Sequence, residues 1–293
     1  GDGEADTTIV TGGKWGMFRN GNTGYGNACS THVNLGVNGT TGAEGQNNKY
    51  STVTGGYNNT ASSYFSSVSG GSGNTASSDF ATVAGGQVNT ASANSATVAG
   101  GASNTASGSY STVAGGMYNA ASNTGSFVGN GSQNAASGEF AAVVSGSTNR
   151  ATGTGSFVGS GSNNEAIGAV SVVGGGDRNI TSGDYGAVVG GRGNLALGDY
   201  AVVVGGSRNT AAEGGAFVAG GAGNVAAAEF SAVVNGMQNA AIDTFSFIGN
   251  GYENKAAGDF ATVVNGYKSE ANANHTFAFG DSVTVNSDYT AQF

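Results

Sequence analysis

The sequence contains no proline, one cysteine and two histidines among its 293 residues, and only 9% of its residues are charged. A single cysteine excludes an intrachain disulfide framework, and we expect Cys29 to be a buried free thiol. Without clustered His or Cys we predict no metal or cofactor site, and no nucleophile–base pair is recognisable, so we expect no enzyme. Nine basic residues against 18 acidic ones give a net charge of −9, which argues against nucleic acid as a partner. No apolar run approaches the roughly 20 residues that span a bilayer, so we expect no membrane contact in this segment.

Glycine is the abundant residue, with 56 copies in the chain. This is well above the average usage of roughly 7%. Collagen is excluded because glycine does not recur at every third position and proline is absent. A hydrophobic content of 38% at regular positions is not the composition of a disordered chain. The sequence therefore predicts a folded, repetitive architecture.

The repeat has a period of 15 residues and is in phase from Gly56 to Gly266. An asparagine stands three residues after each glycine from Asn59 to Asn254, and an alanine follows two residues later, from Ala61 to Ala271, with Thr181 as the only exception. Valine recurs from Val68 to Val263, with Ile248 as the one substitute. A fixed period without insertions is typical of a solenoid in which each repeat stacks on the last.

The period predicts an all-β fold, because helical repeats are longer and Gly and Asn disfavour helices. We expect a parallel β-solenoid, or β-roll, with 15-residue coils over residues 51–280, about 70 Å long at the strand spacing of about 4.8 Å. Residues 1–50 lose the register and are interpreted as an irregular cap or junction, or alternatively as a recognition tip using Trp15, Phe18 and Tyr25. Residues 281–293 are interpreted as a strand that leaves the roll towards a neck or a further domain.

The turns are predicted from glycine and asparagine. Gly-Gly, Asn-Gly or Ser-Gly pairs close each repeat, and these residues favour positive φ, so a left-handed bend is expected there. The asparagine row is interpreted as structural, because stacked side chains can bond backbone and one another. A ligand-binding strip is the alternative. The predicted turn ladder comprises Asn59, Asn74, Asn89, Asn104, Asn119 and Asn134.

The segments "FATVAG" (80–85) and "FAAVVS" (140–145) are the clearest predicted strands. Their valines face the interior, and an aromatic stripe lies on the opposite face. Where the aromatic position is glycine, at 125, 155 and 215, a phenylalanine follows two residues later, which indicates that the stripe conserves volume. A stripe of this size is too large for a monomer surface, so we predict a seam between chains. The predicted seam residues are Phe65, Phe80, Tyr110, Phe127, Phe140, Phe157, Tyr185, Tyr200, Phe217, Phe230, Phe245 and Phe260.

The segments "NTASGSYSTVAGG" (104–116) and "NAASGEFAAVVSG" (134–146) resemble the head repeats of trimeric autotransporter adhesins of the YadA type. Similar repeats occur in fibre proteins of tailed bacteriophages. The resemblance covers residues 50 to 280, with a period one residue longer than is common in those heads. It implies a left-handed parallel β-roll, a homotrimer of identical chains, and an adhesive or receptor-binding role. It also implies an extracellular location, on a bacterial cell surface or in a virion tail fibre, with an unknown cell-surface or matrix receptor.

Charged residues allow two interpretations. One turn position repeatedly carries an acidic residue. These residues could form a cation site, or they could be solvated and partly paired, within a chain or between chains, with Arg178, Arg192 and Arg208. We favour the solvated turn, and His275 is expected to replace an aromatic residue in the seam. "GGGD" (174–177) occurs once, which is weak evidence for a calcium-binding repeat. The acidic residues are Asp79, Glu139, Asp184, Asp199, Glu229 and Asp259.

An ice-binding β-solenoid is the alternative function, because regular threonine arrays on a flat face can order water. Outward threonines are predicted at positions 52, 82, 97, 112 and 262. The same position holds Phe127, Phe157, Phe217 and Phe247, which interrupts a flat array. An enzyme-bearing tail spike is a third interpretation, but no groove with a carboxylate pair is recognisable. The leading prediction is therefore a structural and adhesive fibre segment.

Overall fold

The structure, a computed structural model, describes residues 7–9, 15–19, 23–24, 31–42 and 50–293; residues 7–9, 15–19, 23–24 and 31 are described by backbone alone. Within these ranges the chain is a parallel β-solenoid of about 17 turns without a helix. It divides into two compact units, Gly1–Ser147 (unit 1) and Thr148–Phe293 (unit 2). Trp15 and Phe18 lie in a described backbone strand, whereas Tyr25 and Cys29 lie outside the described residues.

Unit 1 contains eighteen of the described strands, most of them two residues long. They are β1 (Thr7–Ile9), β2 (Trp15–Arg19), β3 (Thr23–Gly24), β4 (Thr31–Asn34), β5 (Thr40–Thr41), β6 (Thr52–Val53), β7 (Thr60–Ala61), β8 (Ser67–Val68), β9 (Thr75–Ala76), β10 (Thr82–Val83), β11 (Thr90–Ala91), β12 (Thr97–Val98), β13 (Thr105–Ala106), β14 (Thr112–Val113), β15 (Ala120–Ala121), β16 (Phe127–Val128), β17 (Ala135–Ala136) and β18 (Ala142–Val143).

Unit 2 contains twenty strands, all of two residues. They are β19 (Arg150–Ala151), β20 (Phe157–Val158), β21 (Glu165–Ala166), β22 (Val172–Val173), β23 (Ile180–Thr181), β24 (Ala187–Val188), β25 (Leu195–Ala196), β26 (Val202–Val203), β27 (Thr210–Ala211), β28 (Phe217–Val218), β29 (Val225–Ala226), β30 (Ala232–Val233), β31 (Ala240–Ala241), β32 (Phe247–Ile248), β33 (Lys255–Ala256), β34 (Thr262–Val263), β35 (Glu270–Ala271), β36 (Phe277–Ala278), β37 (Thr284–Val285) and β38 (Ala291–Gln292).

In each unit the repeated strands form two parallel sheets. The valine sheet pairs strands such as β10 and β12, with Val83 opposite Val98. The alanine sheet pairs strands such as β11 and β13, with Ala91 opposite Ala106. Through the repeats the paired residues lie fifteen positions apart, so the sequence period appears directly as strand register.

The core lies between the two sheets and contains one inward residue from each repeated strand, together with small buried residues of the aromatic loops such as Ala81 and Ala96. Val83 and Val98 enter it from the valine sheet, and Ala91 and Ala106 from the alanine sheet, all with no solvent exposure. The other residue of each strand points outward and is partly exposed. The near-invariance of valine and alanine in the sequence follows, because a close-packed interior accepts little change in volume.

Two kinds of loop join the sheets, and they lie at opposite edges of the sheet pair because the chain alternates between the sheets. The aromatic loop, residues 77–81 and their equivalents, runs from the alanine sheet to the valine sheet. The glycine loop, residues 84–89 and their equivalents, runs back. The edges of each unit therefore carry two different surfaces.

The left-handed bend predicted at the glycine pair is confirmed. Gly86 has a φ of +91°, and a Cβ at that position would lie 2.1 Å from the Gly101 carbonyl oxygen of the next turn. By contrast, a Cβ on Gly85 would meet nothing within 4 Å. The second residue of the pair is thus the one that must be glycine, for steric and conformational reasons.

The strands are shorter than "FATVAG" predicted. Only Thr82–Val83 is a strand there, and Phe80 lies in the aromatic loop with a φ of +59°. Gly125 likewise lies in a loop with a φ of +63°, whereas Phe127 begins β16. The prediction that Phe127 replaces, on the same face of the stripe, the ring missing at Gly125 is therefore wrong, because residues two apart share a face only where both are extended.

The final segment also differs from the prediction of a strand leaving the roll. Within 281–293, β37 and β38 continue both sheets in parallel, with Glu270 opposite Thr284 and Phe277 opposite Ala291. These partners lie fourteen residues apart, because one residue of the glycine loop is missing before Gly280. At the other end β1 and β2 pair antiparallel, and β2 pairs with β4 in parallel.

Candidate interaction surface

The asparagine row forms a buried hydrogen-bond ladder beneath the glycine loops. In unit 1, the Asn104 amide nitrogen Nδ2 donates to the carbonyl oxygens of Gly100 (3.0 Å) and Gly116 (2.8 Å). Its oxygen Oδ1 accepts from the backbone N–H of Asn119 at 2.9 Å. Asn104 is fully buried. A buried side chain with these three bonds supports the loop and offers nothing to a ligand.

The same arrangement occurs within unit 2. Asn209 donates to the carbonyl oxygens of Gly205 (2.8 Å) and Gly221 (3.1 Å), and its Oδ1 accepts from the N–H of Asn224 at 3.0 Å. Ser269 replaces asparagine near the last turn and still donates its hydroxyl to the Gly280 carbonyl. The ladder explains why asparagine is so regular, since its amide both donates and accepts along the solenoid axis.

The aromatic loops present an exposed row of stacked rings, which we call the aromatic ridge. In unit 2 the rings of Phe230, Phe245 and Phe260 stack with centroids 5.2 and 5.0 Å apart. His275 continues the stack at 4.9 Å from Phe260, so it occupies an aromatic position as predicted, and Tyr289 follows at 4.8 Å. Phe230 is 56% exposed in the single chain. From Phe230 to Tyr289 the ridge is thus a continuous strip of stacked rings at one edge of the unit.

Unit 1 has a ridge of its own. Tyr50, Phe65 and Phe80 stack at 4.9 and 5.1 Å, and Tyr110 and Phe140 lie further along, 66% and 62% exposed. All five residues adopt φ values between 52° and 61°. This left-handed conformation costs roughly 1–2 kcal/mol for a residue with a Cβ. Because it recurs in nearly every turn, it belongs to the fold rather than to one strained site.

A notch interrupts the unit 2 ridge where Gly215 replaces an aromatic residue. The cavity has a volume of about 310 Å³ and is lined by Asp199, Tyr200, Gly214, Gly215, Glu229 and Phe230. Tyr200 stacks on Tyr185 at 5.1 Å on one side of the notch. On the other side the Phe230 ring leans over the glycine, and a Cβ on Gly215 would lie 2.7 Å from it. The notch thus has aromatic walls and an acidic rim.

Three acidic residues of the aromatic loops, Asp79, Asp184 and Asp199, bond backbone N–H groups rather than arginine. Asp184 Oδ1 accepts from the Ala169 N–H at 2.8 Å, and Asp199 Oδ1 accepts from the Asp184 N–H at 2.9 Å. In unit 1, Asp79 Oδ1 accepts from the Tyr64 N–H at 3.2 Å. Each carboxylate therefore links its loop to the preceding turn, a role that residue type alone did not reveal.

The arginines predicted to pair with these carboxylates within the chain do not do so. Arg178 and Arg192 lie 3.8 and 3.4 Å from Asp177, which stands on their own edge. Arg208 has no carboxylate within ion-pair distance among the described residues. The reason is geometric, because arginines of the glycine loop and carboxylates of the aromatic loop lie at opposite edges of the sheet pair.

Two exposed carboxyl groups in unit 2 have pKa values shifted from their ordinary range. A hydrogen bond with the Asp243 carboxyl raises the pKa of Asp259, because one proton is shared between two acids. A hydrogen bond from the Tyr252 hydroxyl, and then one from Lys268, lower the pKa of Glu253. The Lys268 ammonium lies 3.4 Å from that carboxylate.

The outward residues of the two sheets include rows of threonine side chains in register, which we call ranks. Thr82, Thr97 and Thr112 are in register on the valine sheet of unit 1, followed by Phe127. Thr60, Thr75, Thr90 and Thr105 form a longer rank on the alanine sheet. Both ranks are uncharged.

Within residues 31–42 and 50–293, no group of three or more His, Cys, Asp or Glu side chains is arranged to hold a metal ion. His32 is buried, with Nδ1 2.5 Å from the Ser51 hydroxyl oxygen. The part of the chain that the structure describes has no helix of the length and apolarity needed to cross a membrane.

Comparison with known proteins gives no family for this chain: no family model matches it, and no curated protein matches it. The features that bear on function are therefore the aromatic-loop edge, the glycine-loop edge and the outward faces of the two sheets.

Proposed function

We propose that the chain is a structural and adhesive segment of a homotrimeric extracellular fibre, built as a left-handed roll of 15-residue coils. The aromatic ridge is the observation that carries the proposal. Phe230, Phe245 and Phe260 are each about half exposed, which leaves on the order of 300 Å² of aromatic surface in that stack alone. The largest apolar patch on a soluble protein is often a functional surface, and the stripe extends beyond this stack.

The symmetry of the proposed assembly suits a repetitive ligand or surface. Three identical chains present the same weak contact repeatedly, and avidity then exceeds the affinity of a single contact. This is the adhesive role implied by the resemblance to trimeric autotransporter heads and tailed-phage fibres, at a bacterial surface or in a virion. The receptor would be a cell-surface or matrix component.

Sedimentation equilibrium of the full chain tests the trimer. We expect the mass of three chains for the wild type, and dissociation for the triple variant Phe80→Ala, Phe140→Ala and Phe230→Ala. A control removes three partly exposed apolar side chains on the outward face of the alanine sheet, away from both edges, by substitution of Ile180, Leu195 and Val225 with Ala. A monomeric wild type, or equal assembly of both variants, would refute the seam.

One observation favours the alternative, an ice-binding solenoid. The rank of Thr60, Thr75, Thr90 and Thr105 is regular and uncharged, as a water-ordering surface requires. In unit 2 the equivalent outward position holds residues as different as Arg150, Glu165 and Leu195. An ice-recrystallisation assay distinguishes the two functions, since only an ice binder inhibits recrystallisation and loses the effect when Thr75 and Thr90 become Lys.

A further inference from the structure

The two edges of unit 2 carry opposite charge over the same turns. Arg178, Arg192 and Arg208 lie on the glycine-loop edge, where Asp177 is the one acidic residue among them. The aromatic-loop edge carries acidic residues in the same stretch and no basic residue. These acidic residues are Asp184, Asp199, Glu213 and Glu229. A single chain cannot bring its two edges together, but two chains side by side can.

The charges are also matched in position along the solenoid. Arg192 and Asp199 lie in the turn 191–205, and Arg208 lies in the turn 206–220 with Gly215, the floor of the notch. In a ring of identical parallel chains, equivalent residues stand at equal height, because the symmetry axis runs along the solenoid. Each Arg208 would then stand level with the notch of the neighbouring chain.

The notch has the chemistry that accepts a guanidinium group. Tyr200 and Phe230 are separated by two turns, so one ring is missing from a stack whose neighbours are about 5 Å apart. A guanidinium is flat, stacks on aromatic faces and binds carboxylates through its fork of N–H donors. The Glu229 carboxylate makes no hydrogen bond or ion pair with any described residue, and the Asp199 carboxylate uses one oxygen for the Asp184 N–H. The rim therefore offers uncompensated negative charge.

We propose that the partner of this notch is a second copy of the chain, with Arg208 of one protomer inserted between Tyr200 and Phe230 of the next and bound by Asp199 and Glu229. The contact joins the glycine-loop edge of each chain to the aromatic-loop edge of its neighbour, and three such contacts close a ring. The inference rests on the proposed trimer and names the residues that set its register.

The test measures assembly of the full chain by sedimentation equilibrium. Arg208→Glu is expected to weaken assembly by about tenfold or more, since like charges would then face each other in the contact. Arg150→Glu is the matched control, because Arg150 is a similarly exposed arginine on the alanine sheet, 3.5 Å from Glu165. The double variant Arg208→Glu with Glu229→Arg is expected to recover assembly by restoring the pair.

The outcomes separate this inference from the proposed trimer. A trimeric wild type with Arg208→Glu no weaker than Arg150→Glu would overturn the edge-to-edge contact and leave the fibre proposal standing. A monomeric wild type would overturn both. As a second measurement, Arg208→Cys with Glu229→Cys, in a Cys29→Ser background, should give covalent trimers with a short bis-maleimide cross-linker, because an arginine–glutamate contact holds the two backbones further apart than a disulfide allows. Failure of a trimeric protein to cross-link at these positions would also count against the contact.

Discussion

Replacement of one asparagine in the ladder should weaken the solenoid more than any exposed substitution of the same kind. Asn104→Ala removes three hydrogen bonds, two donated to the carbonyls of Gly100 and Gly116 and one accepted from the Asn119 N–H. The Gly116 carbonyl keeps the bond from the Ala102 N–H at 2.9 Å. The Asn119 N–H is buried and is left without an acceptor.

The magnitude follows from these groups. An orphaned buried donor costs about 1–3 kcal/mol, and each of the two lost amide bonds contributes about 0.5–1.5 kcal/mol. The expected loss in the free energy of unfolding is therefore about 2–6 kcal/mol. Since a domain is commonly stable by about 5–15 kcal/mol, one substitution should remove a large share of it.

Urea denaturation followed by circular dichroism measures the loss, with the slope of the transition checked because repeat proteins can unfold in parts. Asn94→Ala is the control, because Asn94 is exposed in an aromatic loop one turn earlier, and such a change should stay within about 0.5 kcal/mol. Faster exchange of the Asn119 amide hydrogen is expected in Asn104→Ala. Equal midpoints for the two variants would refute the structural role of the ladder.

Asn104→Asp probes the same bonds by charge. One carboxylate oxygen can still accept from Asn119, but the other faces the carbonyl oxygens of Gly100 and Gly116. Burial and this repulsion raise the folded-state pKa of the new carboxyl above its unfolded value. The destabilisation of Asn104→Asp relative to wild type is therefore greatest at neutral pH. The difference between the two proteins decreases as the pH falls through the raised pKa.

Three further predictions concern neighbouring features. The buried Ser111 hydroxyl has no hydrogen-bond partner, so Ser111→Ala should stabilise the protein by about 1 kcal/mol. Ser66→Ala should destabilise it by a similar amount, because the Ser66 hydroxyl donates to the Ser63 carbonyl at 2.7 Å. Denaturation curves of both variants measure the two changes, and a gain in stability from both would contradict the prediction. Gly86→Ala should lower the free energy of unfolding by about 2 kcal/mol or more, and Gly85→Ala should change it little. Only a Cβ at position 86 would clash with backbone atoms, and only Gly86 has a positive φ. Equal thermal midpoints for the two variants would contradict this steric reason. The Asp259 carboxyl should titrate above the ordinary aspartate range in a carbon NMR experiment. Its contribution to stability should be present at low pH and lost as the pH rises through the raised pKa. A titration in the ordinary range would show that no proton is shared with Asp243.

The inward half of the fold could be predicted from the sequence. Val83 and Ala91 recur because each is the single core residue of its strand, and Gly86 and Asn89 recur because the bend admits no Cβ and its carbonyls need an amide donor. Each of these positions is fixed by packing, φ or hydrogen bonding. A strict period therefore translates directly into register.

The outward half could not be predicted in the same way. Phe80 follows polar residues and precedes Ala-Thr-Val, a pattern that favours a strand, and no propensity places phenylalanine at a φ of +59°. The backbone bonds of Asp184 and Asp199 join different turns, so they depend on register and loop geometry together. The notch at Gly215 similarly requires knowing that consecutive aromatic loops stack their rings.

Individual turns carry glycine in place of the aromatic residue of the ridge, and this bears on the role of the rings. Gly125 and Gly215 hold the same loop position in the same conformation, with φ values of 63° and 65°, without the strain that a Cβ brings. An aromatic residue there costs about 1–2 kcal/mol of backbone strain and regains about 0.5–1.5 kcal/mol from each stacked neighbour, so within one chain the exchange is close to neutral. Burial of the half-exposed rings against another surface would make it favourable by far more. The recurrence of Phe and Tyr at a position that also accepts glycine therefore supports the proposal that a partner covers the ridge.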